Sequence, residues 1–475
     1  MKGIPKPMAI NIGNQNQLFI DDMFFEKQEN IELSLHQPYL EEKILIRDQP
    51  WESRSLDTPC ILKDGDLYKM WYRADEGSRD KNSEDKSWVC YAESLDCISW
   101  NKPKLGICEW QGSTDNNIVF PASGIDGVRV KNPSVIIDPN AAKSEKYKMI
   151  ARTIPLDGSD VDHQTPTHLV AYVSDDGLNW KPVESNPILK DGPFDTHNVL
   201  VWDDESGKYV VYIRGVDKSI PGPFKGGVRA VRRSESVDFL TWSMPELVLS
   251  PDKDDPENLQ FYTNAAFKYQ NAARTFLMFP MTFYQDRKYP NAPFTGLSDV
   301  VFALSRDGIN WKRPFRQPFV PPGLDERNWV DRNPMMGHGI VDTGPETISM
   351  ILQDLHKDKE NGFRKCTIRK DGFISVDGPY NGWGEFTTPP LIFSGQQLEL
   401  NYSTGAGGSI FVELQNESGQ PIKNFALENC KEIFGDKIRA PVSWGNGINL
   451  NQIEDSSVKI RIRFRDASIF AFRFV

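Results

Sequence analysis

The chain is patterned throughout as short β-type runs separated by turns. Four segments share one grammar: a polar residue or two opens a β-branched strand, an Asp/Gly/Asn turn follows, and an aromatic-rich strand returns. They are DTPCILKDGDLYKMWYRA (57 to 74), NPSVIIDPNAAKSEKYKMIART (132 to 153), DTHNVLVWDDESGKYVVYIRG (195 to 215) and YTNAAFKYQNAARTFLMFPM (262 to 281). Each is followed by a further strand-like run and then by one turn phrase: SLDCISW from Ser94, SDDGLNW from Ser174, a stretched SESVDFLTW from Ser234, and SRDGINW from Ser305. The unit is strand, tight turn, aromatic anchor. Asp-Gly suits a turn that needs positive φ, and the Trp is placed to plug the seam to a neighbouring sheet. A fifth version of the strand pair, DRNPMMGHGIVDTGPETISMILQD (331 to 354), lacks the turn phrase.

The turns recur at roughly 60 to 80 residues, too long for a solenoid repeat and close to a propeller blade with large loops. The expected fold is therefore all-β, a five-bladed β-propeller followed by a C-terminal β-sandwich. Stacked sandwich modules are the alternative. The stretch NQLFIDDMFFEK has no early partner and is expected to close the ring by pairing into the fifth blade. From about Gly362, FRKCTIRKDGFISVDG, PLIFSGQQLELNYST, GSIFVELQNESG and VKIRIRFRDASIFAFRFV alternate apolar and polar residues without the Trp turn, the pattern of an antiparallel sandwich. This divides the chain into 1–360 and 361–475.

At 475 residues two domains are the default, and 35 Gly with 33 Pro and 11% aromatics fit a turn-rich folded protein. The net charge of −11 excludes the dense Lys/Arg footprint of a nucleic-acid or anionic-membrane partner; a neutral one fits better. Lys2 is followed by no apolar signal-peptide core, and no run is long enough to span a bilayer, so the chain is expected to be soluble and cytoplasmic unless a secretion signal has been trimmed. Six cysteines (60, 90, 97, 108, 366, 430) form no CxxC pair and read mostly as buried free thiols, with disulfides left open. The histidines at 36, 163, 168, 197, 338 and 356 show no zinc spacing, and PDKDDPE (251 to 257) lacks the Gly and final Glu of an EF-hand loop. No metal or cofactor is expected.

LFIDD, YAESLDCISWNKPKLG, DNNIVF, GPFDTHNVLVWD, YTNAA, SDVVFALSRDGINW, RNWVDRN, RKDGFISVDG and LELNYSTGAGGSIFVELQNESGQPI together resemble the uncharacterised bacterial family-32-like glycoside hydrolases, nearly end to end. Propeller plus sandwich is also the architecture of glycoside hydrolase families 32, 43 and 68. The resemblance implies glycosidic-bond cleavage on an oligosaccharide. It does not carry over family 32 fructosidase chemistry, because the Trp-Met-Asn-Asp-Pro-Asn-Gly, Arg-Asp-Pro and Glu-Cys motifs do not occur; RDQP at 47 to 50 is a superficial echo. Nor does the turn phrase match a sialidase Asp-box, since Gly177 follows Asp176 directly.

In a propeller the innermost strands converge on one funnel, so residues at their openings share a cavity. Those openings are Asp57, Asn132, Asp195, Tyr262 with Asn264, and Asp331 with Arg332. Glycoside cleavage needs one protonated and one ionised carboxyl group. Asp195 ranks first, with His197 and Asn198 beside it, against the plainer reading that it caps its turn. Asp57 echoes the Asp-Pro opening by which family 43 presents its general base, with Thr58 inserted. Asp331 is flanked by Trp329 and Arg332, suited to stack on a sugar and hold an acidic or hydroxyl-rich group; a surface ion pair is the alternative. No Glu matches the family acid by position. Among Glu52, Glu326 and Glu346, Glu346 ranks first because it begins a buried-looking strand, where burial would raise its pKa. His197 and His338 are expected to line the funnel. An exo-acting glycoside hydrolase is the leading expectation, with a non-catalytic sugar-binding propeller and a phosphorylase, its phosphate on Arg332 and Arg327, as alternatives. The sandwich is expected to buttress.

Overall fold

The computed structural model describes residues 9–77, 86–121, 123–154, 167–290, 292, 294–445, 450–451, 453 and 456–475. The chain forms two compact units. One comprises Pro38–Lys268 with Phe276–Thr367; the other comprises the chain up to Gln37, Tyr269–Thr275 and Ile368–Val475.

The first unit is a five-bladed β-propeller. Blade 1 contains Ser55–Asp64, Leu67–Glu76 and Lys86–Ser94; blade 2 contains Arg129–Ile137, Tyr147–Ile154 and Thr167–Ser174, edged by Lys181–Pro182 and Leu189–Gly192. Blade 3 is Val199–Asp203, Lys208–Asp217, Val228–Ser236 and Glu246–Leu249. In blade 4 the inner strand is broken into Gln260–Thr263 and Ala266–Lys268, which pair with Met281–Phe283 and Phe276–Met278, and Ala303–Ser305 extends the second pair. Blade 5 runs from Met335–Met336 and Val341–Asp342 through Thr347–Asp354 to Gly362–Arg369. Apolar side chains fill the seams between blades, as where Trp71 and Tyr91 of blade 1 cluster with Tyr147 and Tyr172 of blade 2. That is how a ring of amphipathic sheets removes its inner faces from water.

The strand that closes the ring is Tyr39–Ile46, antiparallel to Gly362–Arg369. The expectation that NQLFIDDMFFEK does so is corrected: Gln17 and Leu18 pair with Phe472 and Ala471 in the second unit. Phe19 and Phe24 are fully buried in that unit's core, so this segment's apolar residues are spent there. The propeller accordingly starts at Pro38 and runs past 360, to Thr367.

The turn phrase is one structure in four copies. Asp96 Oδ1 accepts the N–H groups of Ile98 at 2.8 Å and Ser99 at 2.7 Å, and Asp176, Asp238 and Asp307 repeat this on Leu178 and Asn179, Leu240 and Thr241, and Ile309 and Asn310. The next residue is left-handed each time: Cys97 φ 59°, Gly177 81°, Phe239 67°, Gly308 70°. The third copy therefore begins at Ser236, not Ser234, and SVDFLTW is not stretched. Glycine is needed where a neighbouring blade comes close. Trp71 Nε1 donates to Gly177 O at 2.7 Å and the Tyr212 hydroxyl to Gly308 O at 2.7 Å, leaving no room for a Cβ. Trp180 and Trp311 stand beside these same aromatics, 6.4 Å from Trp71 and 5.5 Å from Tyr212 between ring centres.

The second unit is a β-sandwich built on two 18-residue strands, Leu398–Gln415 and Ser457–Phe474. Their register slips between Thr404 and Ser409, opposite left-handed Asp466, so each strand bends and continues on both sides of one core. Ile374–Asp377 pairs with Glu32–Leu35, and Gly384–Thr387 with Lys27–Glu29, which draws the N-terminal segment into this unit.

Ring closure also uses the Gly-His-Gly at 337–339. The His338 N–H donates to Pro59 O and the Ile61 N–H to His338 O, both at 2.8 Å. A Cβ on Gly339, at φ 108°, would collide with the Ile61 carbonyl oxygen. Gly339→Ala is expected to cost more than about 2 kcal/mol in urea unfolding. Gly65→Ala, also at positive φ but with open space around it, is expected to cost only about 1 kcal/mol.

Candidate active site

The strand openings are shaped by an unusual backbone. Thr58 (φ 47°), Asn132 (59°), Ala265 (41°) and Arg332 (61°) are left-handed at the openings of blades 1, 2, 4 and 5. Each costs on the order of 1 kcal/mol for a residue with a Cβ. In blade 1 the ladder slips between Asp57 and Cys60, and in blade 2 opposite Ile150 and Arg152, so the bulged residues leave the strand register where the funnel begins.

Asp57, Asn132, Asp195, Tyr262 and Arg332, from all five openings, do line one pit. Two adjoining cavities, of about 130 and about 30 Å³, share Asp57, Arg73, Arg332 and His356. His197 and Gln353 line the smaller one. Asp57 is 8% exposed, accepts the Thr58 N–H at 2.9 Å, and lies 3.6 Å from Arg73 Nη1. Burial pushes its pKa above the ordinary carboxylate value; Arg73 opposes the rise and Asp75 adds to it. Asp195 has a different setting. Arg214, fully buried, donates Nη1 to its Oδ1 at 2.7 Å and Nη2 to the Tyr262 carbonyl at 3.0 Å. The same guanidinium lies 4.1 Å from the centre of the Tyr262 ring, so that ring face is already taken by the protein.

Asn132 faces the funnel but is also a clamp: its Nδ2 donates to Thr196 O at 2.9 Å while its Oδ1 accepts from Arg73 Nη1 at 3.4 Å. Asn198 and Asn264 do not line the cavity. Asn198 donates to the Phe194 and Thr196 carbonyls and accepts the Arg214 N–H, and Asn264 bridges Tyr212 O and the Ala266 N–H. A short amide beside a distorted opening satisfies backbone groups that the ladder has dropped. His338 lies buried among Ser134, at 3.0 Å from its Nδ1, and Cys60, at 3.4 Å, with His197 centred 6.4 Å away. Trp329 is turned aside, its indole donating to Gly323 O and packing on Tyr289.

Two proposed carboxylates are placed differently from expectation. Asp331 is not on the cavity wall; it accepts Arg332 Nε at 2.9 Å and sits 3.7 Å from Lys357 Nζ. Glu346 is exposed in the turn before Thr347–Asp354, so no burial acts on it. It stands at the opposite end of that strand from Gln353, roughly 20 Å away at ~3.3 Å per residue. The Gly-Pro before it makes the hairpin turn rather than a funnel rim. Glu52 is buried but committed to Tyr72, at 2.7 Å, and Lys102, at 2.6 Å. Glu326 lies in an exposed turn, and Arg327 pairs there with Asp325 and Glu360.

The arginines behind the carboxylates were not anticipated. Yet the signal is present: Tyr68–Arg73, Tyr147–Arg152 and Tyr209–Arg214 repeat a Tyr-x-x-x-x-Arg phrase on the second strand of blades 1, 2 and 3. Among the described residues no group of three or more His, Cys, Asp or Glu is placed to hold a metal ion. All six cysteines are buried and unpaired with one another. His163 lies outside the described residues.

No family model matches the chain. Two uncharacterized proteins of Mycobacterium tuberculosis are each 22% identical over 169 residues, 33% of this chain and 46% of theirs; the chain thus spans about half the length of the curated relatives it matches. Among solved structures, a glycoside hydrolase is similar over 70% of this chain and 92% of its own, with 15% identity and a TM-score of 0.46. A member of the GH130 family, whose mannoside phosphorylases include glycoside hydrolases that target β-1,2 mannosidic linkages in Candida mannan, aligns over 74% and 96%, with 14% identity and a TM-score of 0.44. The β-1,2-mannobiose phosphorylase of Listeria innocua aligns over 72% and 97%, with 12% identity and a TM-score of 0.44.

Burial lowers the pKa of His197 to about 4 and of His338 to about 3, with His197 adding to the effect on His338. Both are neutral in the folded protein at pH values where the unfolded chain, at about 6.5, already binds protons. Stability is therefore full above pH 6.5 and is lost as pH falls toward 4, by several kcal/mol in total at ~1.4 kcal/mol per unit. The urea midpoint is expected to fall over that range, and to fall less in His338→Gln. A flat wild-type profile would contradict this assignment.

Proposed function

We propose that the propeller is a glycoside-cleaving enzyme, exo-acting on an oligosaccharide, with Asp57 and Asp195 as its working carboxyl groups. The observation that carries this reading is the contrast between them on one funnel wall. Asp57 is buried with a pKa raised above the ordinary carboxylate value, the direction that suits the group that gives a proton away. Asp195 is ion-paired to a buried guanidinium, which favours its carboxylate form. Asp57 protonates the leaving oxygen. Asp195 attacks the anomeric carbon or activates the water that does. Arg214 positions Asp195, and the Tyr262 ring and carbonyl position Arg214. The small cavity suits one terminal sugar rather than a chain lying across the site. The bacterial family-32-like resemblance of the sequence agrees with this reading. Asp331, whose contacts are Arg332 and Lys357, sets charge rather than acting on the bond.

A second reading is favoured by one feature, the cations beside Asp57: the same pair with inorganic phosphate as the acceptor, a phosphorylase. Its phosphate would meet Arg332 and Arg73, not the exposed Arg327. A non-catalytic sugar-binding propeller is the third.

Nitrophenyl glycosides and natural oligosaccharides, incubated with and without phosphate and resolved by chromatography, separate the three. Wild type is expected to release one monosaccharide without phosphate. Asp195→Asn is expected to lose about 10³-fold in kcat on every substrate, whereas Asp57→Asn should lose that on natural sugars and far less on nitrophenyl glycosides, whose leaving group needs no proton. With Asp57 as donor, kcat falls as pH rises through its raised pKa, and Asp57→Asn removes that limb. An inert wild type whose melting temperature a sugar still raises would refute the enzyme and leave the binding protein.

A further inference from the structure

The larger cavity carries more positive charge than a neutral sugar requires. Arg54, Arg73, Arg332 and Lys357 converge on it, from the segment entering blade 1, the second strand of blade 1, the opening of blade 5 and the loop after Thr347–Asp354. The opposing carboxylates are Asp57 and Asp75 on the wall and Asp331 behind it.

The pairings of Arg73 and Arg332 leave donors over. Asp75 is consumed by Arg73, which gives it Nε and Nη2 at 2.7 Å each, and by the hydroxyls of Ser55 and Ser87. Arg73 Nη1 still faces the cavity, at 3.6 Å from Asp57 and 3.4 Å from Asn132. Arg332 gives only its Nε to Asp331, so both of its terminal nitrogens are without a protein partner among the described residues. Lys357 Nζ pairs with Asp331 at 3.7 Å and lies 5.0 Å from the centre of the Phe294 ring, so its charge stands beside the fork. A planar fork with two vacant N–H groups, flanked by an ammonium and a second guanidinium, is the arrangement that binds a carboxylate or phosphate by two parallel hydrogen bonds. At about 130 Å³ the cavity has room for roughly four waters at ~30 Å³ each, enough for such a group.

We infer that Arg332, Arg73, Lys357 and Arg54 form an oxyanion subsite, so that the substrate is an acidic sugar whose carboxylate or ester anion is held beside Asp57. This rests on the proposed glycoside cleavage for its role, though the site binds its anion whether or not a bond is cut. Arg332 would take the anion bidentately. Its left-handed backbone would then be part of the site's construction, since it sets the guanidinium against Asp331 on one side and the cavity on the other. A free phosphate ion presents the same chemistry and is the other source of the anion.

Isothermal titration of the full chain at fixed ionic strength with galacturonate, glucuronate, inorganic phosphate and neutral glucose tests the subsite without any turnover. At least one of the three anions is expected to bind ten-fold or more tighter than glucose. Arg332→Gln should abolish that preference and Lys357→Met should weaken it several-fold, while Lys104→Gln, on an exposed pair far along the sequence, leaves it unchanged. Unaltered circular dichroism and melting temperature in Lys357→Met guard against misfolding. Preference for a uronate, with uronide cleavage that needs no phosphate, assigns the anion to the sugar. Preference for phosphate, with turnover that requires it, assigns it to the acceptor. Anions that bind no better than glucose, or an Arg332→Gln protein with the wild-type preference, overturn the subsite. Anion binding that survives in Asp57→Asn while no glycoside is cleaved by wild type sinks the enzymatic reading and spares the subsite.

Discussion

Two hydrogen bonds across one seam govern the rest of the site. His338 exchanges backbone hydrogen bonds with Pro59 and Ile61, so the inner strand of the last blade is tied directly to the inner strand of the first. The glycines on either side are there because no Cβ fits against those carbonyls. With that approach fixed, Asp57 and Arg332, 275 residues apart in the chain by their numbers, open onto one cavity. A propeller whose ends met a residue out of register would still be a propeller, but its funnel would lose this pairing.

The electrostatics of the pit follow from a second regularity. A carboxylate at or just before the first strand is met by an arginine of the second strand, Arg73 toward Asp57 and Arg214 toward Asp195. The two pairs are not equivalent. Among the described residues Arg214 pairs with no acid but Asp195, whereas Arg73 is largely spent on Asp75. Asp57 therefore keeps less of its counter-ion and more of its desolvation penalty. One repeated framework thus yields two carboxyl groups in different settings, one desolvated with its arginine shared with Asp75, the other held by an arginine of its own.

The propeller and the set of five openings were legible from sequence because both rest on repetition, of the Ser-x-Asp-x-x-x-Trp turn and of polar residues before β-branched runs. What was illegible depended on partners distant in sequence. NQLFIDD has the apolar density of a closing strand, and only the long C-terminal strand, which offers it an edge, decides that it belongs to the sandwich. Glu346 follows a Gly-Pro directly and Asp195 follows one after Phe194, yet the pair before Asp195 leads to a rim and the other makes a hairpin, a difference that composition does not encode. Asn198 and Asn264 read as ligands for a sugar because amides at strand openings serve either purpose; here the distorted backbone claims them first. The third turn is out of phase by two residues with the sequence reading because Phe239 takes the left-handed position that Gly177 and Gly308 take in other copies, with its ring buried.

The closing strand also sets an order of events. Tyr39–Ile46 is made early and its partner Gly362–Arg369 only after more than three hundred further residues. At ~5–20 residues per second of synthesis, that edge waits on the order of half a minute for its mate. Over that interval it is an unpaired β-edge, the kind of surface on which chains associate wrongly. Its sequence, YLEEKILI, carries Glu41, Glu42 and Lys43 in the middle of the run. In the finished ring Lys43 bonds the Glu360 carbonyl and Glu41 pairs with Lys365 and takes the Thr367 hydroxyl; before closure the same charges discourage a premature partner, so the strand is built as much for the wait as for the closure.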